Sequence, residues 1–289
     1  MSAEQNKRAV LVTGTSTGIG RAVALLLDKM GYRVFASVRG QQDGDALRKV
    51  ASEKLTPVLF DVTDSLAIAR AKDEIAATVG EDGLWGLVNN AGISFRAPLE
   101  FVPLAEVQRL YDTNVFGLLA VTQAFLPLIR RTQGRIINVS SVTALMVTPF
   151  HGIYSSAKMA VNGITDALRL EVQPFGVQVS LMIYGGVQTA LWDRVAKLTA
   201  ETTERFPPEF GELYAARQRK ALEFFFAKGR TGLLPEAAAK PIVHALTAKR
   251  SKHTYFVGSD ARFYNLLDKV LYGRLRDWVI RRSIGLDDG

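Results

Sequence analysis

Short apolar runs alternate with longer helical stretches along most of this chain, and this alternation is the strongest constraint on its fold. The runs cover residues 9–12, 33–38, 58–60, 84–88, 135–139 and 178–183. Each run is largely apolar rather than apolar at every second position, which is typical of strands covered on both faces. The helical stretches are 'GRAVALLLDKM', 'SLAIARAKDEIAATV', 'LAEVQRLYDTNVFGLLAVTQAFLPLI' and 'YSSAKMAVNGITDALRLEV'. The pattern predicts an α/β fold with a doubly wound parallel sheet, completed by a last strand at 'HTYFVG'.

Composition and charge narrow the classes of function. The chain has no cysteine and three scattered histidines (His151, His244 and His253), so disulfides are excluded and no metal site is expected. A net charge of +8 attracts anions of many kinds. Without zinc-finger spacing or an aromatic-basic RNA motif, no nucleic-acid partner is predicted. The first residues lack the apolar core of a secretory signal, and no apolar run reaches the roughly 20 residues that span a bilayer. We therefore expect a cytoplasmic protein.

Two segments interrupt the alternation without dividing the chain, so residues 1–289 are predicted to form one domain. Residues 190–232 are helical and rich in aromatic side chains, and we call them the lid. Residues 262–289 form a C-terminal extension. The aromatic residues of the lid are Trp192, Phe206, Phe210, Tyr214, Phe224, Phe225 and Phe226.

The sequence 'TGTSTGIG' follows the first predicted strand and opens a helix. Glycines there permit a sharp turn and let a pyrophosphate approach the free N–H groups of the helix N-terminus. The spacing is G-x-x-x-G-x-G rather than the common G-x-G-x-x-G, and a tight strand-to-helix turn is the simpler alternative. The predicted cofactor contacts in this turn are Gly14, Thr17, Gly18, Ile19 and Gly20.

The end of the second strand, 'FASVRG', predicts which dinucleotide binds. A carboxylate at this point would bind the adenosine ribose hydroxyls and repel a 2′-phosphate. The chain has none there and carries Arg39 instead, a cation whose forked donors suit a phosphate. We therefore predict NADP(H) in preference to NAD(H), with Thr17 and Ser37 as additional hydroxyl contacts. The alternative is that Arg39 is an ordinary exposed side chain.

Five motifs occur in order: 'TGTSTGIG', 'NNAG' at 89–92, Asn114 within 'DTNVFG', 'NVSS' ending at Ser141, and 'YSSAK' at 154–158. Together they resemble the short-chain dehydrogenase/reductase family over most of the chain. The resemblance implies a Rossmann-type fold, a nicotinamide cofactor, and a homodimer or homotetramer built by helix packing.

Tyr154 and Lys158 are four residues apart, so on a helix they share a face. A free tyrosine has a pKa near 10 and is a poor base at neutral pH. The ammonium group of Lys158, together with the positive nicotinamide ring, is predicted to lower the pKa of Tyr154. Tyr154 would then take a proton from an alcohol or give one to a ketone. A pair of unrelated surface side chains is the alternative.

The resemblance also implies roles for further residues. Lys158 would hold the nicotinamide ribose, Ser141 would orient the substrate oxygen, and Asn114 would support a proton relay through Lys158. Taken alone, Asn114 reads as a polar residue inside a helix. The remaining matched cofactor positions are Asp61, Asn89, Ala91, Gly92, Gly185, Val187 and Thr189.

One position departs from the family pattern. Tyr184 stands where the family usually has proline, in 'YGGVQT', which restores an N–H donor and frees a backbone angle. Three alternatives follow: a more mobile loop, a phenol that touches cofactor or substrate, or simple core packing.

Aromatic residues in the lid favour a hydrophobic substrate. The strings 'GLWGLVNNAG' and 'VSSVTALM' resemble the steroid and retinol dehydrogenase branch, which implies a steroid, retinoid or long-chain alcohol or carbonyl substrate. Two alternatives are reduction of a 3-oxoacyl group on an acidic carrier protein and non-catalytic sensing of NADP(H). The basic, apolar tail 'LLDKVLYGRLRDWVIRR' is predicted either to contact an anionic membrane peripherally or to pack on the protein.

Overall fold

Seven parallel strands form one sheet in the order β3-β2-β1-β4-β5-β6-β7. The computed structural model describes residues 8–286, and the first seven and last three residues of the predicted domain lie outside this range. The strands are β1 Ala9–Val12, β2 Arg33–Val38, β3 Leu55–Leu59, β4 Gly86–Asn89, β5 Arg135–Ser141, β6 Gln178–Tyr184 and β7 Thr254–Val257. The strand order reverses between β1 and β4, where open α/β sheets bind ligands at the carboxyl ends of their strands.

Helices cover both faces of this sheet. They are α1 Gly18–Lys29, α2 Gln41–Arg48, α3 Ser65–Val79, α4 Leu104–Tyr111, α5 Gly117–Arg131, α6 Gly152–Val172, α7 Leu191–Thr203, α8 Pro208–Leu213, α9 Ala215–Arg230, α10 Pro235–Thr247, α11 Ser259–Val270 and α12 Gly273–Ser283. One core joins the sheet to α1 and α10 through residues such as Leu27 and Ile242. A second core joins the other face to α3 and α5 through Ile75 and Phe125. The single-domain, doubly wound prediction is confirmed.

The predicted strands are present with shifted ends. The third spans Leu55–Leu59 rather than 58–60, and includes Pro57, which an edge strand tolerates. The fourth spans Gly86–Asn89 rather than 84–88. Helix α2 was not predicted, because its sequence 'QQDGDALR' is polar and short.

The long apolar helix predicted after the fourth strand is interrupted. A π-helical turn, Asp112–Phe116, separates α4 from α5. Within residues 8–286, the combined segment Leu104–Arg131 is the one helix long and apolar enough to cross a membrane, and half of its most apolar stretch is buried in the fold. Core helices of globular proteins share this composition.

The lid contains α7, α8 and α9, and the C-terminal extension contains most of α11 and all of α12. The extension is not one continuous helix. The helix is interrupted at Leu271 and Tyr272, and Gly273 has a φ of 52°. Buried Ile280 and Ile284 pack with Phe225 of α9. The extension therefore lies against the lid, and the predicted residues 287–289 lie outside the described range.

Candidate active site

The glycine-rich turn between β1 and α1 forms the first part of the site. Gly14 and Gly18 have φ values of 69° and 62°, which favour glycine. A Cβ on Gly14 would lie 2.8 Å from the Cα of Ala91, so a side chain there would displace the neighbouring loop. Thr17, at the N-cap of α1, makes no capping hydrogen bond with its side chain. The first N–H groups of α1 therefore remain available to an anion, as a dinucleotide pyrophosphate requires.

Gly20 and Asn89 have a different position from the one predicted. Neither lines the cavity described below. A Cβ on Gly20 would collide with the carbonyl of Gly14, so this glycine serves close packing. The amide of Asn89 donates to Thr122 and to Asn138, both at 2.9 Å, inside the fold. These contacts give Gly20 and Asn89 a structural role, and their predicted contact with the cofactor stays a prediction.

Asn90, which the sequence did not single out, connects the 'NNAG' loop to the glycine turn. Its side-chain amide donates to the carbonyl oxygens of Thr13 at 2.9 Å and Gly14 at 3.1 Å. The only signal in the sequence for a role of Asn90 was its position beside Asn89, Ala91 and Gly92, which were predicted. The contact fixes the two loops at the end of β1 and β4 relative to one another.

Arg39 and Asp61 lie together at the ends of β2 and β3. Their closest charged atoms, Nη1 and Oδ2, are 3.9 Å apart, and the side chain of Arg39 is 70% exposed. Oδ1 of Asp61 accepts hydrogen bonds from the N–H and hydroxyl of Thr63. Ser37 is buried, and its carbonyl accepts from Thr15. The guanidinium is therefore free to turn toward a ligand, because a long, exposed ion pair holds it weakly.

One cavity of about 510 Å³ connects this region to the predicted catalytic residues. It is lined by Gly14, Thr17, Gly18, Ile19, Arg39, Asp61, Ala91, Gly92, Ser141, Tyr154, Lys158, Gly185, Val187 and Thr189, all of which the sequence predicted. The structure thus brings together the two ends of the predicted site. Its size and elongated lining suit a dinucleotide with a substrate beside it.

Tyr154 and Lys158 both lie on α6 in the wall of this cavity, where Tyr154 is half-buried and Lys158 is buried. The Nζ of Lys158 lies 5.7 Å from the centre of the Tyr154 ring and donates to the carbonyl of Val139 at 2.9 Å. Ser141, at the end of β5, accepts hydrogen bonds from the N–H and the hydroxyl of Thr143 at 3.2 and 3.1 Å, and its hydroxyl also favours the phenolate form of Tyr154. Tyr154 and Lys158 therefore share one face of α6, as predicted, and Ser141 lies across from them at the end of β5.

Without the cofactor, the protein shifts the pKa of Tyr154 in the direction opposite to the predicted lowering, which included the positive nicotinamide ring. Burial raises the pKa of Tyr154 to about 12, and the hydrogen bond to Ser141 and the charge of Arg96 only partly oppose this. Burial also lowers the pKa of Lys158 to about 8. Desolvation of the phenolate outweighs the nearby cations, because the low-dielectric cavity disfavours any charged form. Tyr154 is therefore protonated at neutral pH.

Asn114 lies in the π-helical turn and does not line the cavity. Its side chain accepts from the N–H of Ile93 and donates to the carbonyl of the same residue, both at 2.8 Å. A Cβ on Gly92 would lie 3.1 Å from Asn114 Oδ1 and 3.7 Å from Lys158 Nζ. Asn114 thus anchors the 'NNAG' loop, and the absent side chain of Gly92 leaves space between Asn114 and Lys158. A relay through the Asn114 side chain would first have to break these hydrogen bonds.

Tyr184 packs in the core, which is one of the three alternatives. It is 4% exposed, and its hydroxyl donates to the carbonyl of Ala238 on α10 at 2.7 Å. Burial strongly raises the pKa of this phenol. The following loop is held instead by Asp260 of α11, which accepts from the N–H of Gly186 at 2.7 Å. A side-chain contact from α11 thus replaces the backbone restriction that proline would give.

Two side chains that the sequence did not predict, His151 and Arg96, interact with Tyr154, and a third, Ser94, contacts His151. The ring of His151 stacks on the ring of Tyr154 with centroids 4.5 Å apart, and its Nε2 lies 3.0 Å from Ser94 Oγ. Arg96 is buried and lies over Phe225 of the lid. Burial and the charge of Arg96 lower the pKa of His151 well below 6.5, so the imidazole is neutral. Their proximity in sequence to 'NNAG' and 'YSSAK' was the only signal.

These residues fit a nicotinamide dinucleotide. The turn at Gly14 and Gly18 and the open N-terminus of α1 suit its pyrophosphate, and the loop from Gly185 to Thr189 reaches the same cavity. When bound, such a cofactor supplies or accepts the hydride of the reaction. The protein's own part would be to orient a substrate oxygen between Ser141 and Tyr154 and to move one proton at the Tyr154 hydroxyl. Among residues 8–286, no group of three or more His, Asp or Glu side chains could hold a metal ion.

Comparisons with known proteins identify the family of this chain. A family model described as short chain dehydrogenase matches residues 8–199. The chain is 34% identical to 17-beta-hydroxysteroid dehydrogenase type 6 of Bos taurus, covering 95% of this chain and 88% of that one. It is 33% identical to an NADPH-dependent 3-dehydrocapnine reductase of Ornithobacterium rhinotracheale, covering 93% and 98%. It is 34% identical to retinol dehydrogenase 7 of Rattus norvegicus, covering 94% and 87%.

A solved structure shows the same fold. A short-chain dehydrogenase from Streptomyces avermitilis superimposes with a TM-score of 0.76 at 24% identity, and each chain is covered in full. The family match covers residues 8–199, and the relatives extend over nearly the whole chain. The chain therefore belongs to the short-chain dehydrogenase/reductase family, in its steroid and retinol dehydrogenase branch, and is an oxidoreductase that acts on alcohol groups.

Proposed function

We propose that this chain is an NADP(H)-dependent oxidoreductase that interconverts a hydrophobic alcohol with its ketone or aldehyde, using Tyr154 as acid and base. The substrate would be of steroid, retinoid or long-chain type. The observation that carries the proposal is the single cavity that runs from the glycine turn to Ser141 and Tyr154. A dinucleotide and a substrate carbonyl can meet there out of water.

The choice of NADP(H) rests on Arg39. It follows β2 directly, lines the cavity and is mostly exposed, so its guanidinium can reach a 2′-phosphate. Asp61 competes for it only through a contact of 3.9 Å. The relative from Ornithobacterium rhinotracheale is named as NADPH-dependent, which supports the same choice.

The proton chemistry follows from the protonated state of Tyr154. In reduction, one hydride and one proton add to the carbonyl, and the phenol is positioned to give the proton. A pKa of about 12 keeps that proton on Tyr154 at neutral pH. Oxidation requires the phenolate, so the positive charge of an oxidised nicotinamide has to lower this pKa. Ser141 orients the substrate oxygen in both directions, and Lys158 would hold the nicotinamide ribose.

The substrate end of the cavity is apolar. Trp192, Phe224 and Phe225 of the lid and Tyr264 of α11 line it. The other lid aromatics, Phe206, Phe210 and Tyr214, pack around Phe101 instead and close the lid on the body. The lining aromatics favour a hydrophobic substrate, in agreement with the names of the steroid and retinol dehydrogenase relatives.

The C-terminal extension is proposed to rest on an anionic membrane surface. Its exposed apolar side chains are Phe263, Leu266, Val270, Tyr272, Leu275 and Trp278, with Arg and Lys residues between them. This combination binds anionic lipid headgroups and would bring a lipophilic substrate to the cavity. Sedimentation with phosphatidylserine vesicles, but not with phosphatidylcholine vesicles, is expected for the wild-type protein. Loss of sedimentation in the double variant Leu275→Ser, Trp278→Ser would locate the contact.

A homodimer or homotetramer in the cytoplasm is the proposed assembly. Phe116, Met159 and Leu170 are exposed on the helical segment from α4 to α6, and an apolar surface of this kind favours helix packing between copies. Light scattering after gel filtration measures the mass, and Leu170→Glu is expected to shift it toward the monomer. A monomeric wild-type protein would exclude the proposed assembly.

The function is tested with purified protein, NADPH and a panel of retinoid, steroid and long-chain ketones and aldehydes, following the absorbance of NADPH. Tyr154→Phe is expected to abolish turnover while leaving NADPH affinity within about threefold. Tyr111→Phe is the matched control, because its hydroxyl binds Ser156 and it does not line the cavity. Tight NADPH binding without turnover of any substrate would favour a sensor, and activity in Tyr154→Phe would remove Tyr154 from the mechanism.

A further inference from the structure

Arg96 is a buried cation without an anionic partner. The residue is 2% exposed and follows the 'NNAG' loop in 'ISFRAP'. Its Nε and Nη1 atoms are buried and have no hydrogen-bond partner. Among the ion pairs of residues 8–286, none involves Arg96, and its nearest described contact is the ring of Phe225, 3.9 Å from the guanidinium carbon. Arg96 is nevertheless one of the residues that line the cavity.

Such an arrangement is unfavourable unless something else binds. Removing a charge from water is costly when no counter-ion or hydrogen bond replaces the water. Burial lowers the pKa of Arg96 to about 9, and the one favourable electrostatic interaction it makes is with Tyr154. At neutral pH the guanidinium is still charged whereas that phenol is not, so no protein anion compensates the charge. The free donors of a planar fork suit a carboxylate or sulfonate.

The position of Arg96 indicates whether such an anion would belong to the substrate or to the dinucleotide. The chain of ring contacts runs from Tyr154 to His151 at 4.5 Å, and from His151 to Phe225 at 6.1 Å, with Arg96 over Phe225. Arg96 is therefore on the substrate side of Tyr154, beneath helix α9 of the lid. The glycine turn that suits the dinucleotide phosphates lies at the other end of the cavity lining. An anion at Arg96 would belong to the substrate.

We propose that Arg96 binds an acidic group of the substrate, a carboxylate or a sulfonate, that lies a few bonds from the carbonyl carbon that is reduced. This inference rests on the proposed function and narrows its substrate class to amphipathic oxo acids, with the apolar chain against the lid aromatics. Phe225 covers the other face of the guanidinium and excludes water from the pair. Arg96 is thus a specificity-determining residue.

The test compares two substrates that differ only in charge, 3-oxododecanoate and its neutral amide, with NADPH. The readout is the ratio of their kcat/KM values within each protein, which cancels general effects on the active site. A charge-assisted hydrogen bond predicts a ratio of roughly 10 to 100 in favour of the acid. Arg96→Met should bring this ratio close to one. Arg109→Met is the control, because Arg109 also lines the cavity but is paired with Glu106 at 2.7 Å. The control should keep the ratio. The compound 2-oxoundecane-1-sulfonate, whose carbonyl is also one carbon from the anionic group, distinguishes a tetrahedral from a planar anion.

Equal reduction of the acid and the amide by the wild-type protein would overturn the inference, as would a preference that survives in Arg96→Met. If Arg96→Met does not fold, as judged by circular dichroism, Arg96→Lys replaces it. Lysine keeps the charge but loses the fork, so an unchanged ratio in this variant would also count against the proposed contact. If no ketone is reduced, the proposed function fails separately. In that case calorimetry with NADP⁺ present measures the dissociation constants of the acid and of the amide. The ratio of these two constants in the wild type and in Arg96→Met then tests the inference.

Discussion

Replacing Arg39 by alanine tests the cofactor assignment most directly. Arg39 is the first residue after β2, and its only described ionic partner is Asp61 at 3.9 Å. NADPH and NADH differ by the 2′-phosphate alone, so a contact between Arg39 and that phosphate affects one cofactor and spares the other. The variant should weaken NADPH binding and leave NADH binding within about threefold.

The size of the effect follows from the exposure of the two groups. A hydrogen bond to a charged group contributes about 1.5–3 kcal/mol in a protected site. The side chain of Arg39 is 70% exposed and that of Asp61 is 38% exposed, so solvent screens both the pair and the phosphate contact. We therefore expect an effect near or below the lower end of this range, about 1–2 kcal/mol, which corresponds to roughly a 5- to 30-fold loss of NADPH affinity. Salt should reduce the difference between wild type and variant.

The assay is a fluorescence titration of each cofactor at low and high salt. Arg33→Ala is the matched control, since Arg33 begins the same strand at its opposite end and donates to the carbonyl of Thr78. Asp61→Asn removes the competing carboxylate and should raise the ratio of NADPH to NADH affinity. If Arg39→Ala leaves that ratio unchanged, Arg39 does not read the phosphate, and the reasoning from the end of β2 is refuted.

Three further outcomes test other parts of the structure. Tyr184→Phe should lower the free energy of unfolding in urea by about 1–3 kcal/mol, because a buried carbonyl on α10 loses its donor; unchanged stability would contradict the core role. Gly92→Ala should reduce turnover about tenfold or more, because the added methyl group fills the space between Asn114 and Lys158. Gly163→Ala, where the added methyl group meets open space, should not reduce turnover. Equal turnover in the two variants would show that the space beside Lys158 has no role in proton transfer. Alcohol oxidation should rise about tenfold per pH unit below the pKa of Tyr154 in the complex, while ketone reduction stays flat over that range; identical pH profiles would show that Tyr154 is not the group that titrates.

Local pattern was sufficient to predict the sheet, because strands buried on both faces must be apolar throughout. It did not predict α2, whose eight residues are mostly polar and which packs on the adjacent strands through Leu47. Nor did it predict the π-helical turn at Asp112–Phe116, since one extra residue in a turn leaves the apolar period almost unchanged. Both features depend on tertiary contacts that a window of sequence does not contain.

The same distinction applies to the site. Residues that act through a backbone conformation or a short spacing, such as Gly14, Gly18 and the pair Tyr154 and Lys158, were found from the sequence. Residues that act through long-range packing were not. Arg96 meets Phe225 only because helix α9 folds back over the loop after β4, and no spacing along the chain encodes that approach.

The pKa of Tyr154 also depends on packing that the sequence does not contain. From spacing alone, the ammonium of Lys158 is the dominant influence, and the phenol becomes acidic. In the fold, Lys158 is itself buried and shares its charge with the carbonyl of Val139, so desolvation of the phenolate dominates. The protein alone therefore holds Tyr154 as an acid, poised for reduction, and the charge of the oxidised cofactor or of Arg96 must favour the base. A substrate anion bound to Arg96 would cancel part of that help, because it neutralises a cation that stabilises the phenolate. The proposed substrate class and the protonated tyrosine thus favour the same direction of reaction, from ketone to alcohol.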